Sequence, residues 1–586
     1  MTATLVRPPA RPRSTEVPGR ASTRARRWTP TLVLAVVLGF LVLVPLVVLV
    51  WSSVKPTGLP LDPGLTLDHY RSVYGSPETY RLALNSFVFA LGSTAVAMVI
   101  GVGLGWLVER TDMPTRGALR FLVILPMAMP PVLLAIAWVL LLSPSIGFVN
   151  TAIDALPGLS GPVFDVYTMP GMIFVQGLSL VPTTYLIVSP AFRNMDPALE
   201  EAALASGARP RTVVLQVVLP LLRPSILAAA AFMLVIGFVV FDIPGILGLP
   251  RGIYVLSSEI FFRSHPPAGL PDYGSISALA TSFLVILFAL SWYYHRQTRR
   301  SQRYVTISGK ASRARVFQLG RWRFLAAAGA WTYFVLGVVA PLVILLWTSL
   351  LPFYSGVSGE MVSQLTLENH QALWENPGVL KAARNSLVVA VVAATLVAVL
   401  SAGVSWVVIR SKAPGRKLFD AIAFLPLAIP STMIGLALIF VYLTIRWVPV
   451  YGTVWILVIA YVTTYLSFGT RVTNGVLFQM SGELEDSAHA SGAGWARTFG
   501  EITLPLMRPA LLAVWIWVAA HSLRELSAAL MLQGRDNAVV PTLLWGYWES
   551  GRPTIAAAAG VWLIAALFVV VCMWAVVTRK RKVDFR

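Results

Sequence analysis

Residues able to do chemistry are scarce in this chain, where 56% of the side chains are hydrophobic and only 12% are charged. The most telling are ionisable groups inside long apolar runs, because a charge at the centre of a membrane helix costs about 2.5–3.5 kcal/mol on insertion scales. Asp242 lies about twenty residues into one such run, just ahead of Pro244 and Gly245, and Glu525 lies at nearly the equivalent depth of another. His521 and Glu525 are four residues apart, which puts them on one helical face, and Arg524 is adjacent, so a local ion pair offsets part of the cost. The chemistry this predicts is passage rather than reaction. Asp242, His521, Arg524 and Glu525 line a pathway, and Asp242 with Glu525 favours a cationic solute toward its outer end. A satisfied interhelical pair near the membrane interface is the competing reading.

Catalytic constellations are missing elsewhere. No Gly-x-x-x-x-Gly-Lys-Ser/Thr phosphate loop occurs, so the chain does not cradle ATP by that route and its energy must come from another subunit or from a gradient. None of the six histidines falls in a His-Glu-x-x-His pattern, and His69, His265 and His370 stand singly in segments predicted to be external. The lone Cys572, inside the last apolar run, excludes an internal disulfide and a cysteine metal site. No catalytic residue, resident metal or cofactor is therefore assigned.

One thirty-residue segment is written twice, from Met195 to Pro224 and from Met480 to Pro509, with thirteen identical positions. The identities Leu199/Leu484, Ala203/Ala488 and Gly207/Gly492 recur every four residues, the spacing of one helical face. Asp196 with Pro197, and Ser481, are helix-start signals, and Gly207 and Gly492 suit the position just past a helix end, where a positive φ is cheap only for glycine. Each copy predicts a helix, a sharp turn and a second short helix closing on Leu-Pro.

This segment resembles the cytoplasmic EAA loop of ABC-transporter permeases: Glu-Ala-Ala, three residues, Gly, nine residues, Ile, one residue, Leu-Pro. Glu201, Ala202, Ala203, Gly207, Val217, Leu219 and Pro220 match it with Val for Ile; Asp486, Ser487, Ala488, Gly492, Ile502, Leu504 and Pro505 match it with the acid and first Ala altered. The resemblance implies that two ATPase subunits, which hold ATP and Mg, dock on the two loops. Leu199, Ala203 and Gly207, with Leu484, Ala488 and Gly492, would fill the ATPase groove. Glu200 and Glu201, with Glu485 and Asp486, would meet basic groups at its rim.

The elements that must carry these residues are membrane spans. Apolar stretches of roughly twenty residues, enough to cross a bilayer core, begin near Thr31, Ser86, Phe121, Gly171, Leu221 and Ser275, and again near Phe324, Ser386, Leu418, Thr453, Ala510 and Ile555. The net charge of +20 would suggest nucleic acid in a soluble protein. With the N-terminus inside, however, 35 of the 46 Lys and Arg fall in cytoplasmic segments, ten in external ones and Arg524 alone in a span. That is the positive-inside pattern, with the lipid bilayer rather than nucleic acid as partner, and it places both termini and both duplicated loops in the cytoplasm. The run from Thr31 to Trp51 is too long for a signal peptide and lacks a small-residue cleavage site.

Further matches tie the halves together: Thr66-Leu67-Asp68 with Thr366-Leu367-Glu368, Asn85-Ser86 with Asn385-Ser386, and Leu125-Pro126…Pro130 with Leu425-Pro426…Pro430. Six spans per repeat make the repeats parallel. Pro126, Pro130 and Pro131, with Pro426 and Pro430, remove backbone donors inside the third and ninth spans, which predicts kinked, pathway-lining helices. The expected organisation is a basic tail (1–29), a first repeat (30–296, loop 195–224), a basic linker (297–322), a second repeat (323–578, loop 480–509) and a basic tail (579–586).

The whole is identified as resembling a fused, two-repeat permease of a binding-protein-dependent ABC importer, of the type I permease fold, in the bacterial plasma membrane. The segments Phe241 to Ala280 and Val539 to Leu563 look most like the ferric iron group, which implies an extracytoplasmic binding protein that delivers the solute. Thiamine, aminoethylphosphonate, polyamine and sulfate permeases share the loops. A gradient-driven carrier shares the twelve-span arrangement but has no use for them.

Overall fold

The computed structural model describes residues 31–583 except 155, 157–160, 196–197, 267, 302–315, 356–358, 412–414 and 446. The basic tail 1–29, most of the linker 297–322, the helix start at Asp196 and Pro197, the last three residues and the side chain of Cys572 lie outside the described residues. Everything else is helix and connection, apart from an isolated parallel bridge between Thr111 and Phe317.

The first half runs α1 (Thr31–Ser52), α2 (Pro77–Arg110), α3 (Arg116–Ala128), α4 (Pro131–Leu142) and α5 (Met169–Arg193). It continues with α6 (Ala198–Ala205), α7 (Val214–Val239), α8 (Asp242–Leu247), α9 (Leu256–Ser264) and α10 (Tyr273–Tyr294). The second half repeats the series as α11 (Trp322–Ser349), α12 (Pro377–Ile409), α13 (Arg416–Ala428), α14 (Ser431–Thr444) and α15 (Val454–Gln479). It ends with α16 (Glu483–Ala490), α17 (Trp495–Arg524), α18 (Ser527–Met531), α19 (Val540–Glu549) and α20 (Pro553–Val570). Each of these twenty is answered by the one ten places later, whereas the short helices Phe148–Asp154 and Gly359–Ser363 in the connections have no counterpart among the described residues.

Ten of these helices are long and apolar enough to cross a membrane. The third and ninth crossings differ from the kinked helices expected of them. They are broken: α3 meets α4 at 96° and α13 meets α14 at 110°, and twelve crossings result when each bent pair counts as one. The cause is local. A residue before proline is driven to extended backbone, so Met129 and Ile429 turn to ψ 124° and 120° ahead of Pro130 and Pro430, which are themselves extended at ψ 136° and 137°.

The long spans also start earlier than their apolar cores. In α2 the Ser76 hydroxyl accepts the Glu78 N–H with Pro77 opening the helix, and in α12 the Asn376 carbonyl accepts the Gly378 N–H behind Pro377. A side-chain cap followed by proline at the first position starts a helix wherever it falls, lipid or not.

Among the described residues four π-turns punctuate the spans, at Gly39–Leu43, Val214–Val218, Val335–Val339 and Phe499–Thr503. Each ends two residues before a proline: Pro45, Pro220, Pro341 or Pro505. Proline lacks the N–H for its own turn and crowds the carbonyl four residues back. Widening that turn relieves the crowding without ending the helix. The Leu-Pro pairs of the duplicated segment therefore do not close short helices, as the sequence pattern suggested, but carry the chain straight into α7 and α17.

Within each half the second and fourth crossings form the tightest pair. Gly101 and Gly105 of α2, four apart, lie against Thr184, Val188 and Phe192 of α5, where a Cβ on Gly101 would stand 2.7 Å from the Thr184 side chain. With no hydrophobic drive between helices in lipid, such close approach of backbones is what holds them. The leading spans do something else. α1 packs on α14 of the opposite half as well as on its own α10, and α11 packs on α4 of the first half as well as on its own α20. Thr463 of α15 donates to the Leu41 carbonyl, and Tyr354 donates to the Leu140 carbonyl, across the same exchange.

Candidate functional site

The duplicated segments form two hairpins of the same shape. α6 and α16 are two turns long, and each ends in a glycine at positive φ, Gly207 at +85° and Gly492 at +86°. The turn is closed by paired backbone bonds, Gly207 N–H to Leu204 and Ala208 N–H to Ala203, and likewise Gly492 to His489 and Ala493 to Ala488. That is the hydrogen-bond pattern of a left-handed helix terminus. Space in front of both glycines is open, with no atom within 4 Å of where a Cβ would stand.

Leu199 and Leu484 point outward, 52% and 51% exposed. Glu201, Ala202 and Asp486 are also exposed, Ala488 is half-buried, and Ala203 is half-buried against the cluster of Val188, Phe192, Val213 and Val218. Leu219, Leu504 and Pro505 are half-buried and Pro220 is exposed at the start of the following spans.

Glu200 and Glu485 contradict the rim position expected for them: both face inward. The Glu200 carboxylate is fully buried and paired with the fully buried guanidinium of Arg110, the last residue of α2. Glu485 pairs at 3.3 Å with Arg410, which follows α12, and accepts the Thr503 hydroxyl at 3.0 Å. Arg410 also donates to the Met480 carbonyl. A short amphipathic helix cannot keep a carboxylate buried unless a cation meets it there, and the second crossing supplies one in each half.

In the sequence Arg110 and Arg410 stand out only as members of the cytoplasmic basic excess. The signal that would have found them is their recurrence at the spacing of the other repeat matches, at the end of a span beside each duplicated loop.

The neighbouring Glu109 makes the end of α2 a junction. Its buried carboxylate accepts Arg120 of α3 at 2.8 Å, Arg193 of α5 at 3.1 Å, Ser189 at 2.9 Å and Tyr185 at 3.1 Å. In the second half Ile409 stands at that place, and Asp420 instead takes Arg471 at 3.9 Å and Asn474 at 3.3 Å.

The intramembrane ionisable residues gather where the two halves meet. Arg524, the last residue of α17, donates to the carbonyl of Met127 in the last turn of α3, just before the break, and its other terminal nitrogen donates at 2.7 Å to Nε2 of His521. The imidazole donates through Nδ1 to the Trp517 carbonyl. Glu525 lies just past the helix end and accepts the Tyr465 hydroxyl at 2.9 Å and the Ala528 N–H at 3.2 Å.

The ion pair expected between these neighbours is not made. Among the described residues no hydrogen bond or salt bridge joins Arg524 or His521 to the Glu525 carboxylate. Arg524 answers a backbone need instead, since a carbonyl freed by a helix break in lipid must find a donor. Pro126, Pro130, Pro426 and Pro430 are all buried at the breaks.

Asp242 opens α8, within electrostatic reach of Glu525 and Arg524, and its buried Oδ1 has no hydrogen-bond partner among the described residues. Asp242 and Glu525 are not structural equivalents: Asp242 corresponds to Ser527, which opens α18, and Glu525 to Val240, the extended residue after α7. Two residues of register separate them.

The repeated Asn-Ser pairs have a plain purpose. Ser86 accepts the Leu256 N–H at the start of α9 and Ser386 the Val540 N–H at the start of α19, both at 2.9 Å. Asn85 donates to the Tyr254 carbonyl, and Asn385 to the carbonyls of Asp536 and Ala538. Beside the latter, a hydrogen bond from Lys381 holds the Asp536 carboxyl below the usual carboxylate range. The two halves meet here as well, as Phe241 and Phe261 pack on Trp545 with ring centroids 5.6 and 6.2 Å apart. No group of three or more His, Cys, Asp or Glu suited to a metal occurs among the described residues.

The family described as "binding-protein-dependent transport system inner membrane component" matches residues 101–303 and 394–583. A ferric transport system permease protein of Actinobacillus pleuropneumoniae is 25% identical over 514 residues, which cover 85% of this chain and 71% of that one. An Fe(3+)-transport system permease protein of Haemophilus influenzae is 22% identical over 499 residues, 84% of this chain and 88% of that one. A sulfate transport system permease protein of Salmonella typhimurium is 27% identical over 230 residues, 35% of this chain and 80% of that one.

Proposed function

The chain belongs to the family of binding-protein-dependent transport system inner membrane components, and from that premise we propose that it is the permease of an ATP-driven importer of ferric iron. The two repeats, 30–296 and 323–578, supply the permease units. Two ATPase subunits, carrying ATP and Mg, dock on the hairpins from the cytoplasm, where both termini lie, and an extracytoplasmic binding protein delivers the ion to a bacterial plasma membrane permease.

The observation that carries this reading is the construction of the hairpins. Each presents an exposed leucine and an unobstructed glycine turn to the outside while a buried or half-buried ion pair fixes it to a membrane span behind. A surface helix with no partner would need neither the exposed apolar residue nor the internal strut. Leu199, Glu201, Ala202, Leu484 and Asp486 are the docking residues in this scheme, and Glu200 and Glu485 are struts. Ferric iron is favoured because two relatives that align along both repeats, over 84–85% of the chain, are named for ferric transport. Asp242 and Glu525, beside the broken spans, line the pathway and suit a cation.

Uptake of radiolabelled ferric iron tests it, in cells lacking the chain and complemented with wild type or with Gly207→Val/Gly492→Val. Rescue by wild type alone, abolished by ATP depletion and surviving an ionophore, is expected. Uptake that stops with the ionophore instead would assign a gradient-driven carrier, and unchanged iron uptake would move the substrate to sulfate or another solute.

A further inference from the structure

The cytoplasmic end of α2 has one contact that the repeat pattern does not explain. Just before α11, the end of the linker lies along residues 110–112: Phe317 N–H donates to the Arg110 carbonyl at 2.7 Å, and Asp112 N–H donates to the Phe317 carbonyl at 3.0 Å. Leu319 N–H then donates to the Asp112 carboxylate at 2.8 Å. The Phe317 side chain, 9% exposed, enters the cluster under the first hairpin, with its ring 6.5 Å from that of Trp106.

The residue whose backbone takes this strand is the one whose guanidinium holds Glu200 of α6. A few residues later the chain becomes α11, which packs against the broken third crossing, where Trp331 donates to the Thr115 hydroxyl at 3.0 Å. A continuous run of bonded groups thus leads from α6 through Glu200, Arg110 and Phe317 into the leading span of the other half. A polar and apolar latch of this kind is a stiff connection, and a stiff element with two attachment points carries displacement from one to the other.

We propose that Val316–Leu319, with Phe317 at its centre, is a positioning element that ties the first coupling hairpin to α11, so that a push on the hairpin moves the leading span of the second half. This rests on the reading of the hairpins as ATPase docking sites. Phe317 touches neither solute nor nucleotide in this scheme; it acts through Arg110.

The test is reconstitution of the tagged complex, with its co-purifying ATPase and binding protein, in proteoliposomes, scoring assembly, ATP hydrolysis and import of radiolabelled ferric iron together. For Phe317→Ala we expect an assembled complex that hydrolyses ATP within about twofold of wild type but imports at least roughly fivefold less iron per ATP, the lower end of a typical coupling effect. Asp112→Ala, which removes the acceptor of Leu319, should do the same more weakly, and Phe317→Leu should restore most of the ratio. An unchanged ratio in Phe317→Ala, a parallel fall of hydrolysis and import, or failure of both Phe317→Ala and Asp112→Ala to assemble would each overturn the proposal. A wild-type complex that imports no iron on ATP would sink the parent reading, and a wild type that imports normally beside an unaffected Phe317→Ala would sink the latch alone.

Discussion

At the scale of the residue, the decisive pairs are Arg110 with Glu200 and Arg410 with Glu485. Removing one member of a buried pair strands the other charge, at a typical cost of about 3–5 kcal/mol, whereas replacing both by apolar residues is often close to neutral. Glu200→Ala should therefore lower the yield and thermal stability of the detergent-purified protein sharply, and Arg110→Met/Glu200→Leu should recover most of both. Glu485→Ala should cost less, because its carboxylate and Arg410 are 13% and 17% exposed and water shares the load. Equal losses for the two glutamates in a melting assay would contradict that ranking. The duplicated loops were legible from spacing alone, down to the glycine turns. The inward direction of Glu200 was not, because a two-turn helix beginning Ala-Leu-Glu-Glu shows no periodicity that says which acid turns in; the partner that decides it lies ninety residues away.

At the scale of the element, proline shapes these helices in two ways. A proline within a helix leaves the span continuous, with a π-turn ahead of Pro220 and Pro505 and without one at Pro182, Pro190, Pro224 and Pro509. A proline preceded by a residue forced into extended backbone, as at Met129-Pro130-Pro131, breaks the span and leaves a carbonyl to be satisfied from another half. The sequence told where the prolines were but not which outcome each would have, since the residue before proline stays helical at Leu219 and turns extended at Met129 and Ile429. Arg524→Met should lose assembled protein, Arg524→Lys should keep part of it because one ammonium donor can still reach Met127, and Pro130→Ala/Pro131→Ala should assemble yet transport poorly as the crossing straightens. Full iron uptake by Arg524→Met in cells at normal protein level would remove the structural role assigned to it.

At the scale of the whole molecule, each half holds the other's first helix. Halves that exchange a span share one core and cannot melt one at a time, so a single calorimetric transition is expected for the purified chain; two resolved transitions would show that the exchange contributes little. The exchange also dictates an order of events during synthesis. α1 enters the bilayer roughly 390 residues before α14, its partner across the halves, has been made, and at about 5–20 residues per second that is a wait of some 20–80 s. For that time the first span must be at home among acyl chains with its later neighbour unborn. Of the ten single-helix spans it is the most hydropathic and the least buried, the composition of a segment whose ribosome has not yet delivered what it will eventually lean on.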